Sequence, residues 1–183
     1  MSEIFNSEEI SRFEQEQFLK KNSYFFMQKA GKRVFEFINN KFKNKKTIIV
    51  LCGPGNNGGD GFVIARRLEA AGWPVKVALL CEKKKLFGDA KKMASLWEGP
   101  IAPMESSVVA GAGLIVDAIF GAGLKRDIFG EARSALEAAD ATSAPIVAVD
   151  IPSGVHGDSG IIMGFAPNAD LCVTFMNKKL GIL

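Results

Sequence analysis

Thr47-Ile48-Ile49-Val50-Leu51-Cys52-Gly53-Pro54-Gly55-Asn56-Asn57-Gly58-Gly59-Asp60-Gly61 is the stretch on which the reading of this chain turns. Its first six residues form an unbroken β-branched and aliphatic run. Such runs suit a strand covered on both faces, as in a parallel sheet. Five glycines then fall between Gly53 and Gly61, where a plain turn needs one or two. Beyond them Ile64, Leu68 and Ala71 recur at helical spacing until Gly72 and Pro74 stop the helix. Strand, glycine-rich turn and helix follow one another directly. Glycines let the backbone turn tightly, and the amides opening a helix can face an anion.

The loop satisfies the dinucleotide pattern Gly53-x-Gly55-x-x-Gly58, and Glu82 after the next strand is placed to bind a ribose. A nicotinamide-dependent oxidoreductase is therefore one reading. Against it stands the polar density of Asn56, Asn57 and Asp60. A carboxylate at Asp60 repels a pyrophosphate laid over the same helix start unless a cation or hydroxyl intervenes. Such an acid is better suited to grip a sugar hydroxyl or to help hold a cation. No Gly-Lys-Ser/Thr follows, so the loop is not a P-loop.

Working outward, residues 75–80, 114–120, 146–151 and 171–175 read as further strands. Residues 86–97 and 131–139 read as helices between them. Toward the N-terminus, Asn6, Ser7, Glu8 and Glu9 open a short helix to about Phe18. A second helix starts near Ser23, with Met27, Ala30, Val34, Ile38 and Phe42 as its buried stripe. The basic stretch over residues 43–46 reads as a solvated turn. Strand and helix alternating at this rhythm imply an α/β fold: a Rossmann-like three-layer sandwich, mainly parallel, with helices on both faces and extra N-terminal helices.

In an open parallel sheet ligands bind beyond the carboxyl ends of the strands. Three strands end there in polar or glycine-rich sequence. The first runs into Gly53. The third passes through Asp117 into Phe120-Gly121-Ala122-Gly123-Leu124-Lys125-Arg126-Asp127. The fourth ends in Asp150-Ile151-Pro152-Ser153-Gly154, where Pro152 and Gly154 force a sharp turn that can aim Ser153 at the cleft. Each has a plainer reading. Residues 121–127 are otherwise a surface loop with two solvated cations, and Asp150 otherwise caps a turn.

The bulk numbers agree with one soluble domain. The chain has 183 residues, 48% of them hydrophobic and 23% charged. A net charge of +3 does not argue for nucleic acid. No apolar stretch approaches the roughly 20 residues that span a bilayer. The first residues lack a secretory signal, so the expected location is cytoplasmic. Cys52, Cys81 and Cys172 are widely spaced, form no CxxC pair, and read as buried reduced thiols.

Three blocks carry a resemblance: residues 53–61, residues 116–124 (Val-Asp-Ala-Ile-Phe-Gly-Ala-Gly-Leu), and residues 149–155 (Val-Asp-Ile-Pro-Ser-Gly-Val). In this order and spacing the chain resembles NAD(P)H-hydrate epimerases along its whole length. The resemblance implies an isomerase that interconverts the R and S forms of hydrated NADH or NADPH. A separate NAD(P)H-hydrate dehydratase then restores the cofactor. It also implies that Asn56, Asn57, Gly58, Gly59, Asp60, Gly121, Ala122, Gly123, Leu124, Lys125, Arg126, Asp127 and Asp150 bind substrate. Asn57, Asp117 and Ser153 would ligate one potassium ion per subunit. An amide oxygen, a carboxylate and a hydroxyl are hard donors suited to such a cation. Asp150 is the candidate catalytic acid/base.

The pattern departs from the family at His156, where the usual residue is an acid, and the chain stops at Leu183, where members normally continue. One domain over residues 1–183 is expected, C-terminally shortened and without a fused dehydratase. A homodimer is expected, and Phe13, Phe18, Phe25 and Phe26 suit either its interface or the core. A third functional class is a silent scaffold: relatives of this fold serve in RNA-decapping assemblies and in apolipoprotein binding. Scaffolds lose the site acids. Asp60, Asp117 and Asp150 are all present here, which favours the enzyme.

Overall fold

The computed structural model describes residues 4–5, 9, 22–175 and 178–179. The expected helix over residues 6–18 lies, but for Glu9, outside the described residues, as do Phe13 and Phe18.

The centre is a six-stranded sheet, all parallel. Its strands are β2 (Ile48–Cys52), β3 (Val75–Leu79), β4 (Ile101–Pro103), β5 (Leu114–Ala118), β6 (Ile146–Val149) and β7 (Leu171–Val173), in the order β4-β3-β2-β5-β6-β7. Ile4–Phe5 (β1) and Lys178–Lys179 (β8) form a separate parallel pair. The helices are α1 (Ser23–Lys41), α2 (Asn56–Ala70), α3 (Gly88–Ser95) and α4 (Gly130–Asp140).

The order explains where the site forms. From β2 the chain runs outward through β3 to β4, then returns to pair β5 on the other side of β2 and runs outward again through β6 and β7. The direction reverses between β2 and β5, which leaves a crevice at their carboxyl ends. Gly53 and residues 119–121 leave the sheet at that point.

Every residue of β2, β5 and β6 is buried, as their continuous apolar runs predict. Two cores result, one on each face. Val50, Cys52, Val77 and Val116 pack with Val34 and Ile38 of α1, Phe62, Ile64 and Leu68 of α2, and Met93 of α3. Ile49, Leu51, Ile115 and Ile146 pack with Ala132, Ala135 and Leu136 of α4. Complete burial of a side chain such as Phe62 or Ile64 contributes about 1.5–3 kcal/mol.

Several elements are shorter than the sequence pattern predicts. The helix expected over residues 86–97 is α3 preceded by a 3-10 turn at Lys83–Lys85, and the strands expected to end at residues 120, 151 and 175 end at Ala118, Val149 and Val173. The polar rim therefore starts earlier. Strand β4 was not expected; it is a three-residue edge ending in Pro103, too short to show a period. Cys52 is buried, but Cys81 and Cys172 are only half-buried; none of the three is disulfide-bonded. Among the described residues no helix is long and apolar enough to cross a membrane.

Candidate active site

The loop after β2 is held by contacts that only glycine permits. A Cβ on Gly53 would stand 1.9 Å from the Ile119 carbonyl oxygen, and one on Gly58 1.9 Å from the Gly53 oxygen. The exit of β2 is thus pressed against the exit of β5, and the first turn of α2 folds back on the loop. The Gly53 amide donates to Ala118 at 3.0 Å, locking the two exits together. No side chain caps α2, whose opening amides have no acceptor within the helix.

Directly below lies Asp117. It pairs with Leu51 on one side and Ala148 on the other, and is fully buried. Strand alternation puts it on the α4 face with Ile115 and Ile119. Ser153, also fully buried, donates to it twice: from its hydroxyl at 2.6 Å and its amide at 2.8 Å. The Ile119 amide adds a third contact at 3.3 Å. The Ser153 hydroxyl in turn accepts from the Phe120 amide at 2.9 Å. Burial pushes the Asp117 carboxyl above the usual carboxylate range, and the bonds from Ser153 and Ile119 pull it partly back.

Asp150 follows β6 with φ 72°, the one non-glycine residue in the left-handed region among the described residues. Such a conformation costs roughly 1–2 kcal/mol for an L-residue. Its amide continues the ladder to Val173 at 2.8 Å, and its carboxylate meets the Phe175 amide at 3.5 Å. A Cβ on Gly121 would lie 3.4 Å from Asp150 Oδ2 and 3.6 Å from Asn57 Oδ1. The acid and the amide thus converge over one bare glycine. Asn57 Nδ2 is buried without a hydrogen-bond partner.

Beside this lip a cavity of about 420 Å³ opens between α1, the start of α2 and the end of β7. Asn56 and Asp60, one turn apart on α2, form one wall; Val173, Thr174 and Phe175 form another; Phe26, Lys29, Ala30 and Arg33 of α1 form a third. Phe175 lines the cavity and also touches Asp150, so the cavity and the lip are contiguous.

The three turns therefore meet at one rim, while their acids divide. Asp60 faces the cavity, Asp150 stands at the lip, and Asp117 is sealed beneath. Gly58 and Gly59 are buried in packing, and Gly121 and Ala122 are half-buried at the crevice. Leu124 is buried in the α4-side core. Gly123, Lys125, Arg126 and Asp127 face solvent, and none of residues 121–127 lines the cavity. Glu82 is exposed, held by Lys84 at 2.6 Å and Lys85 at 3.2 Å, and does not line the cavity. His156 is half-buried rather than exposed. Its amide donates to Ile161 at 3.0 Å and its ring meets the Ser159 hydroxyl at 3.0 Å, so it braces its own turn.

The model of the YjeF-related protein N-terminus matches residues 23–181. The chain belongs to this family. A relative from Limosilactobacillus fermentum, named NAD(P)H-hydrate epimerase, is 36% identical over 88% of this chain and 78% of its own length. A second of that name, from Oenococcus oeni, is 38% identical over 76% of this chain and 68% of its own. A relative from Thermofilum pendens, named bifunctional NAD(P)H-hydrate repair enzyme, is 38% identical, but the chain spans only 32% of its length. The crystal structure of yeast YNL200c superposes with TM-score 0.87 at 24% identity, covering 98% of this chain and 83% of that one. It establishes the fold of the YjeF-related domain.

Within that domain the sequence reading missed the α1 wall of the cavity. The signal was present: Phe26, Lys29, Ala30 and Arg33 share one helix face. Ala30 reads as part of the buried stripe and Phe26 as core or interface, so the face does not stand out until an opposing wall is known; Ala30 is half-buried and lines the cavity instead.

Proposed function

We infer that this chain is an NAD(P)H-hydrate epimerase, an isomerase acting on hydrated NADH or NADPH. The observation that carries the reading is Asp150, held in a strained left-handed conformation with its carboxylate over Gly121 and beside Asn57. Strain of this kind persists where the surrounding structure enforces it, and it concentrates at functional sites.

The substrate carbon that inverts bears a hydroxyl next to a ring nitrogen. Protonated Asp150 gives its proton to that hydroxyl, which leaves as water while the nitrogen lone pair forms an iminium ion. Water returns to the opposite face and yields its proton to the Asp150 carboxylate. Bare Gly121 leaves the space in which the ring carbon can approach. Asn57 faces the same point and orients the polar groups of the ring. Asp60 and Asn56 bind hydroxyls further along the nucleotide.

The donor set beneath the lip fits a potassium ion. Asp117 supplies one charge for a monovalent cation, and Ser153 and Phe120 supply neutral oxygens. The orphaned Asn57 amide supports this fit, since exchanging its indistinguishable O and N would present an oxygen instead. When bound, the ion supplies a fixed positive charge that offsets Asp117 and ties residues 57, 117 and 153 together. Among the described residues no cluster of three or more His, Cys, Asp or Glu could hold a metal, so any ion here relies on such neutral donors.

A product mixture of epimers suits a dehydratase that consumes one of them, and the relatives named bifunctional repair enzymes support that link. The direct test mixes the purified chain with S-hydrated or R-hydrated NADH in potassium buffer and follows both isomers by chromatography. Both should relax to the same mixture far faster than without protein. An unchanged relaxation rate overturns the reading.

A further inference from the structure

We propose that Lys29 and Arg33 of α1 bind phosphate oxygens of the dinucleotide, so that α1 forms the anion-binding wall of the substrate site. This rests on the epimerase reading and adds to it a wall that none of the three signature blocks contains.

Phe26, Lys29 and Arg33 lie at spacings of three, four and seven residues on α1 and therefore share a face. All three line the cavity. Opposite them stand Asn56 and Asp60 of α2 and Phe175 after β7. The cavity thus has two aromatic rings, two cations, one amide and two acids, Asp60 and Asp89, the latter hydrogen-bonded by the Ser23 hydroxyl. A dinucleotide has the matching parts: flat rings, hydroxyls and phosphates. Its reacting ring belongs at the lip, over Gly121. Asn56, next in sequence to Asn57 at the lip, and Asp60 one turn further along α2 can bind ribose hydroxyls. The cations on the facing helix remain for the phosphates. Asp60 also explains why the phosphates belong on α1 and not on the start of α2: its carboxylate repels them there.

Arg33 is exposed and meets Glu36 at 3.3 Å, a surface ion pair with the carboxylate one turn onward. Such pairs contribute little and exchange readily. A phosphate presents a stronger, charge-assisted partner for the guanidinium. The lysine adds a point charge on the same face.

The test compares the wild-type chain with Lys29→Ala, Arg33→Ala and the double variant, using hydrated NADH and hydrated NADPH separately. Because both cations bind substrate away from the reacting ring, each removal should raise KM by about tenfold while kcat changes by less than about threefold. The same variants should weaken binding of ADP, which carries a diphosphate but no nicotinamide ring. Lys29→Arg should restore most of the loss, which a merely structural role does not predict. A KM increase with both substrates places the diphosphate on this wall; an increase confined to hydrated NADPH places the 2′-phosphate there. Unchanged KM for both substrates in a double variant that folds and turns over overturns the inference while leaving the epimerase reading intact. A wild-type chain that does not accelerate epimerisation removes the epimerase reading itself, and ADP binding then tests the wall alone.

Discussion

Asp150 carries two roles that substitution can separate. Replacing it with Asn keeps a side chain that tolerates positive φ but removes the proton donor. Asp150→Asn should therefore lower the epimerisation rate roughly 10²–10⁴-fold, with substrate still bound in equilibrium dialysis. Asp150→Gly should be equally inactive yet more stable, by about 1 kcal/mol in urea titration, because glycine adopts φ 72° without strain. A near-normal rate in the Asn variant would falsify the acid/base role. Asp117 leads to a pH prediction. Its carboxyl is raised by burial, so the unfolded chain releases that proton at a lower pH than the folded chain does. The stability this group contributes is complete below the ordinary carboxylate range and falls as pH rises through the folded-state value. A cation beside ionised Asp117 offsets that loss. In thermal melts, potassium in place of choline should raise Tm at neutral pH and have little effect in acid, where Asp117 is protonated. An equal shift at both pH values argues against a potassium site at Asp117.

At the scale of elements the decisive contact is α2 against the exits of β2 and β5. A Cβ on Gly61 would stand 2.7 Å from Cys52 Sγ and 2.9 Å from Ala118 Cβ. Both lie inside packed structure with no room to retreat. Gly61→Ala should cost about 1–3 kcal/mol in urea unfolding through overpacking. Gly123→Ala meets nothing within 4 Å, and should change stability by less than about 0.5 kcal/mol. Equal costs at the two positions remove the argument that α2 rides directly on the sheet. Strands β2, β5 and β6 were legible in the sequence because continuous apolar runs report burial on both faces. So was the end of α2, stopped by Gly72 at φ 80°, but not its start: the helix opens at Asn56, inside the stretch that reads as a glycine-rich turn. Strand β4 was not, since three residues cannot display a period and Pro103 argues against a strand. The turn at Lys83–Lys85 was not legible either, because three consecutive lysines carry no apolar signal.

Across the whole molecule, chemistry is graded by depth. Cys52 is fully buried beneath α2, and burial raises its thiol pKa strongly. Cys81 and Cys172 lie nearer the surface. A thiol reagent should label those two in the native state and reach Cys52 only as the molecule unfolds. The Cys52 labelling rate should then follow global stability through a denaturant series. Rapid native-state labelling of Cys52 would show that α2 detaches locally. The same gradation separates what was readable along the chain from what was not. Residue order alone determined the parallel α/β sandwich, the three polar turns at the strand ends and the family resemblance, because periodicity, glycine placement and motif spacing are local properties. Folding alone decided the rest. It sealed Asp117 against Ser153, twisted Asp150 into a left-handed turn over Gly121, and brought Lys29 and Arg33 of α1 to face Asn56 and Asp60. Those relations join residues far apart in sequence, and only the packing of helices across the sheet sets the distances between them.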